Sequence, residues 1–270
     1  MIITKKRLGS LWVAYIALVL GWGVIGLGGC ATSSPHEAKK KEPTPTEMAR
    51  MYIDIANGAI LEGDATGALE NLFHAEKADS KLPELYHSEA LAYFMKHDLA
   101  TAVIKARKAV ALKADYSDAN NTLGKLLIDS GKSDEAVEYL TRASSDPIYR
   151  EAFKSLTNLG IIYYRRGEYG RAETYLTRAV TDSPAAACVA FYYRGHIRLH
   201  DSKFREALSD YDNAGKKGCA GFADAHMAMG IAYERSRQYD LARKKYLEIE
   251  SRFPNSKYAD QAMNHLRSLP

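Results

Sequence analysis

Hydrophobic and polar positions divide the chain into three stretches. Leu11 to Leu27 carries no charge. Ala31 to Glu47 (ATSSPHEAKKKEPTPTE) is polar and has no aromatic residue. From residue 49 onward apolar side chains recur every three or four positions, the period of an amphipathic helix. That pattern is itself repeated. One set of small residues reads Ala56, Ala90, Gly124, Gly160, Gly195, Gly230. A second, twelve residues later, reads Ala68, Ala102, Ala136, Ala172, Ala207, Ala242. A third reads Ala75, Ala109, Ala143, Ala179, Ala214 and breaks at Ile249. Four residues after the second set stand Leu72, Ala106, Leu140, Leu176, Tyr211 and Tyr246. The units start near 49, 83, 117, 153, 188 and 223, at spacings of 34, 34, 36, 35 and 35. Small residues at a fixed interval let two helices cross with their backbones close, while the flanking Leu and Tyr interdigitate. Each unit therefore reads as helix A, turn, helix B. Gly63, Gly131 and Gly167 fall at that turn, where a helix end calls for a left-handed residue. Pro184 and Pro254 stop helix B in their units. Tyr258, Ala259, Ala262, Met263 and Leu266 predict a terminal helix that covers the last unit.

A helix–turn–helix repeat of this period and small-residue pattern resembles the tetratricopeptide repeat. The resemblance implies an all-α, right-handed superhelical solenoid. Six repeats would occupy residues 48–256 and a capping helix residues 257–270.

The first stretch reads as an address. Lys5, Lys6 and Arg7 precede the uncharged run, and Gly28, Gly29 and Cys30 follow it. Basic start, apolar middle and small residues make the layout of a secretory signal. The run falls slightly short of the roughly 20 apolar residues that an uncleaved membrane anchor needs. Leu27-Gly28-Gly29-Cys30 resembles the bacterial lipobox, which decides for a lipoprotein. That resemblance implies a signal peptide over 1–29 and lipidation at Cys30. Ala31, rather than Asp, after the Cys implies sorting to the periplasmic face of the outer membrane. Residues 30–47 are too polar to fold by themselves and read as a tether. Its average reach would be roughly 20–25 Å.

Composition removes several functions. Without Lys5, Lys6 and Arg7, 34 basic residues remain of 37, against 33 acidic ones, a net charge of +1. A nucleic-acid binder usually shows a basic stripe, and none is present. There is no G-x-S-x-G, H-E-x-x-H, P-loop or C-x-x-C motif. His196 and His200, four apart on one helix face, could hold a metal. No third ligand is evident in the sequence, so they read as groove-facing polar residues. We expect no catalysis, cofactor, metal or small-molecule substrate, and a protein partner instead.

In this fold helix A lines the concave face, and positions 5, 9, 12 and 13 of each unit point inward. The residues there that read as the partner groove are Ile53, Ile60, Leu61, Leu91, Phe94, Met95, Ile161, Tyr164 and Tyr192, while unit three turns polar with Asn121, Lys125 and Asp129 around Ile128. A concave strip of large apolar residues marks a partner groove, unless a flanking segment of the chain covers it. Most other tyrosines fall at packing positions. Tetratricopeptide proteins that grip chaperone tails need Lys where this chain has Ile53, so that clamp is not expected. Once Cys30 is lipidated, Cys188 and Cys219 are the two cysteines left. They stand at the two ends of one helical hairpin, in a chain expected in an oxidising compartment. A disulfide is therefore expected, two buried thiols being the alternative.

Lipobox, short tether and six repeats together resemble the type IV pilus pilotins, the PilF/PilW/Tgl group of outer-membrane lipoproteins. The likeness is closest at Ala143-Ser-Ser-Asp-Pro-Ile-Tyr149, where unit three is stretched by two residues, and at Asn158-Leu159-Gly160. It implies a role in localising and assembling the pilus secretin. A general envelope scaffold that organises cell-wall hydrolases or outer-membrane assembly is the rival reading. Phe253-Pro-Asn-Ser-Lys-Tyr-Ala259 resembles the closing repeat of such factors.

Overall fold

The computed structural model describes residues 42–270. The chain enters its first helix through a capping box. Thr44 Oγ1 accepts the Glu47 N–H, and the Glu47 carboxylate accepts the Thr44 N–H. Pro45 follows the cap, at a position whose N–H would be unpaired anyway. The tether expected through residue 47 therefore ends at Thr44, because Thr-Pro-Thr-Glu is a helix start. The expected signal peptide over 1–29, the expected lipidation site Cys30 and the expected tether up to residue 41 lie outside the described residues.

Six antiparallel helical pairs follow, as the sequence period requires. They are α1 (Pro45–Glu62) with α2 (Ala65–Ala78), α3 (Pro83–Met95) with α4 (Leu99–Leu112), and α5 (Ser117–Asp129) with α6 (Ser133–Ser144). Then come α7 (Ala152–Arg165) with α8 (Tyr169–Asp182), α9 (Cys188–His200) with α10 (Phe204–Ala214), and α11 (Ala223–Arg235) with α12 (Tyr239–Arg252). The last helix, α13 (Lys257–Ser268), buries Ala262 in a cluster with Met227, Tyr246 and Ile249. Residues 43–270 form one compact unit.

Within each pair the crossing is as close as the small residues allow. A Cβ built on Gly124 would stand 2.5 Å from Leu140, and one on Gly160 2.5 Å from Leu176. Gly195 meets Tyr211 and Gly230 meets Tyr246 in the same register. In the second pair Ala90 takes the glycine's place and Ala106 the bulky residue's. Leu72, Leu140 and Leu176 are fully buried, each contributing about 1.5–3 kcal/mol. Successive pairs are tied by polar contacts about one repeat apart in sequence. Ser88 donates to Asn57 at 2.7 Å, Ser155 to Asn121 at 2.9 Å and Tyr258 to Asp224 at 2.9 Å. Cys188, at the start of α9, is bonded to Cys219 beyond α10, with Cα atoms 5.6 Å apart.

Candidate functional site

The A helices α3, α5, α7 and α9 lie side by side, and two adjoining cavities run across them. One, of about 330 Å³, has Leu91 and Phe94 from α3 facing Asn121, Lys125 and Tyr149. The next, of about 540 Å³, is floored by Phe153, Thr157 and Ile161 of α7 and closed by Ala187 and Val189. Asn121, Lys125, Glu151 and Lys154 border both. These charges are balanced locally. Lys125 pairs with Asp129 at 2.9 Å and lies 4.3 Å from the centre of the Phe94 ring, and Lys154 pairs with Glu151 at 2.6 Å. The lysine stems thus extend the apolar lining while the heads stay in water. Asn158 also lines the second cavity, so carboxamides as well as paired charges border the apolar seats of the groove. Such a surface suits an extended peptide, whose backbone needs hydrogen bonds and whose side chains need apolar seats.

Of the expected groove residues, the structure gathers Leu91, Phe94 and Ile161 along these cavities. Ile60 and Met95 are half-buried near the ends of their helices, and Leu61 is 89% exposed at the end of α1. Ile53 is only 4% exposed and belongs to the core, which corrects its assignment to the groove. Position 5 is not uniform along the repeats: Asn121 and Thr157 border the cavities, while others are taken up in contacts with the next unit. His87, at the same position, is bonded through Nε2 to Thr122 at 3.0 Å and through Nδ1 to the Tyr116 hydroxyl at 3.3 Å. Tyr192, again at position 5, stacks edge-on with Phe222 of the next unit, ring centroids 5.2 Å apart. Position 9 and the first turn of helix A carry more of the open groove. The sequence reading missed Tyr149 because it lies on the link between α6 and α7. The two extra residues of unit three bring its ring against the Phe94 cavity, and its hydroxyl is buried without a hydrogen-bond partner.

Beyond Ile161 the concave side becomes aromatic. Tyr164 meets Tyr193 at 5.2 Å and Tyr169 at 5.6 Å, and Tyr192 meets His196 at 4.4 Å between ring centroids. His196 Nδ1 is bonded to the Tyr211 hydroxyl at 3.1 Å, and His200 Nδ1 to Asp201 at 3.1 Å. The two histidines therefore have separate partners, and among the described residues no cluster of three metal-ligating side chains forms. Burial, reinforced by the Arg235 charge, lowers the His196 pKa to about 4, so the ring is neutral. Burial likewise pushes the Tyr192 hydroxyl up to about 12, keeping it a donor.

A sequence profile of the tetratricopeptide repeat matches residues 121–187 and 193–257. The type IV pilus assembly protein PilF of Pseudomonas aeruginosa is 24% identical over 156 residues, 58% of this chain and 62% of that protein. Human tetratricopeptide repeat protein 13 is 23% identical over 205 residues, 73% of this chain but 22% of its own length. The matched part is thus less than two thirds of either curated relative. Among solved structures, P. aeruginosa PilF superposes with a TM-score of 0.71 at 18% identity, covering 82% of this chain and 99% of that one. PilW, described as a widely conserved type IV pilus biogenesis factor, gives 0.70 at 20% identity, covering 80% and 98%. These superpositions establish the fold.

Proposed function

We propose that this chain, a tetratricopeptide-repeat protein homologous to PilF and PilW, is a non-catalytic pilotin that takes up a segment of the type IV pilus secretin. The observation that carries the reading is the continuous groove over α3, α5 and α7, with Leu91, Phe94 and Ile161 facing it and no charge in excess. The relationship to PilF supports the pathway. In this reading Cys30 is lipidated and holds the protein at the periplasmic face of the outer membrane, which the motif Leu27-Gly28-Gly29-Cys30 supports.

Phe94 offers the sharpest test. Phe94→Glu places a charge in the groove wall while Leu85, Tyr86, Ser88, Glu89, Ala90 and Ala92, the buried residues of that helix, stay untouched. In pull-downs from envelope extract, the wild-type chain should retain the secretin and the variant should lose it, with helical content unchanged. A deletion strain should lack assembled secretin multimers and surface pili. Capture of cell-wall hydrolases, with normal multimers and a defect of cell shape, would instead establish the envelope-scaffold reading.

A further inference from the structure

The C-terminal half of the concave side differs in chemistry from the cavities described above. Tyr164, Tyr169, Tyr192, Tyr193 and His196 form a chain of rings with neighbouring centroids 4.4–5.6 Å apart. All are half-buried, so one face of the cluster meets solvent. The four phenol hydroxyls of Tyr164, Tyr169, Tyr192 and Tyr193 are free of hydrogen bonds to other described residues. Two arginines stand near the rings, as does the Asp224 carboxylate, which accepts a hydrogen bond from the Tyr258 hydroxyl. Arg165 and Arg235 occupy the same repeat position, at the C-terminal ends of α7 and α11. Both are exposed. Neither has a carboxylate within ion-pair distance among the described residues. Their basic neighbours do: Arg166 pairs with Asp134, Arg171 with Glu168, Arg198 with Asp210 and Lys203 with Asp201.

We propose that this aromatic tier binds an acidic, proline-rich segment of a protein partner in the polyproline II conformation. The inference rests on the reading of the concave side as a protein-binding surface, and it names the chemistry of the bound segment. Proline rings stack on tyrosine faces at low entropic cost. A polyproline II backbone has no internal hydrogen bonds, so its carbonyls are open to free phenol donors. Arg165 and Arg235 stand at the same position of units four and six, so the ligand must carry more than one carboxylate to meet both.

The test uses the full chain and a fluorescent peptide of Glu-Pro-Pro triplets, read by anisotropy. Controls are a Lys-Pro-Pro peptide and a Glu-Gly-Ser peptide with the same charge as the probe but no preformed helix. The Glu-Pro-Pro peptide should bind, both controls should bind at least about tenfold more weakly, and added salt should reduce the affinity. The Arg165→Glu/Arg235→Glu variant, altered only at exposed positions, should lose at least about tenfold, and Tyr164→Ala a similar amount. Phe94→Glu should leave peptide binding intact. Three outcomes would each overturn the proposal: no binding of the acidic peptide, equal binding of Glu-Gly-Ser, or unchanged affinity in the charge-reversed variant. If the peptide fails while secretin capture persists, the ligand chemistry alone is wrong. If Phe94→Glu keeps secretin capture while the peptide still binds, the groove reading fails and the tier stands.

Discussion

Asp210 is only 1% exposed. Arg194 grips it with both arms, Nε at 3.0 Å and Nη2 at 2.6 Å, and Arg198 adds a contact at 2.9 Å. In the repeat alignment Arg194 stands where a leucine stands in units three and four (Leu123, Leu159), which makes it anomalous in sequence alone. The answer lies sixteen residues on, at the helix B position facing it. Glu89 and Lys105 occupy the same two positions in the second unit, bonded at 2.8 Å with the charges exchanged. Burial raises the Glu89 pKa, with Lys105 opposing. Such a pair adds little net stability but is costly to break, because one charge is left buried without a partner. Asp210→Ala should therefore cost about 3–5 kcal/mol in denaturant unfolding. Arg194→Met combined with Asp210→Leu should recover most of that loss. A small effect of Asp210→Ala would mean that Glu173 and Thr177 suffice to hold the arginines.

The helical pair is stabilised by two backbone devices. One is the close crossing. Gly160→Ala gains about 1 kcal/mol of helix propensity but drives a methyl into Leu176, where overpacking costs about 1–3 kcal/mol. It should lower the melting temperature. Gly58→Ala, in α1 with open space around the added methyl, should raise it. If Gly160→Ala stabilises as much as Gly58→Ala, the crossing is looser than the structure has it. The other device is the turn between A and B. The three glycines that sequence picks out have φ of 86°, 75° and 74° at Gly63, Gly131 and Gly167. The same repeat position is left-handed in the other three units too, at His97, Ser202 and Arg237, with φ of 61°, 59° and 61°. A side chain there costs about 1–2 kcal/mol, part of which glycine loses again to unfolded-state entropy. Arg237→Gly should thus raise stability by about 0.5–1 kcal/mol, read from the unfolding midpoint. A lower midpoint would show that the arginine side chain contributes more than its backbone costs.

Across the whole solenoid of residues 43–270, stability is passed from one repeat to the next, so the buried groups at the seams set its response to pH. Burial depresses the pKa of His196, to about 4, and also those of His87 and His226. Unfolded histidine takes up a proton near pH 6.5. The folded chain refuses that proton, so the unfolded state gains protons first and stability falls as pH drops from about 6.5 towards 4. Glu89, with its raised pKa, acts in the opposite sense. His196 alone should account for a loss on the order of 2 kcal/mol. Unfolding midpoints measured between pH 7 and 4.5 should decline, and His196→Gln should flatten the slope. A pH-independent midpoint for the wild type would mean that these rings are protonated in the fold.

Local periodicity was enough to determine the architecture from sequence. The 34-residue recurrence of small residues places helices A and B, their crossing and the terminal helix, because each depends on contacts within one unit or with its neighbour. The start of α1 was also legible, since Thr44-Pro-Thr-Glu47 is a capping box, although its proline-rich setting made it read as tether. What the sequence could not decide was which helix A positions face the groove and which face the seam. Ile53 and Leu91 are alike in polarity and both lie on helix A. One, at position 5, is in the core and the other, at position 9, is on a cavity, and which of these positions faces the groove is set by packing at every interface at once. The Arg194–Asp210 pair, the place of Tyr149 on the groove and the aromatic tier with its unpaired arginines depend on the same tertiary geometry. They join residues whose partnership becomes evident only when the helices are stacked.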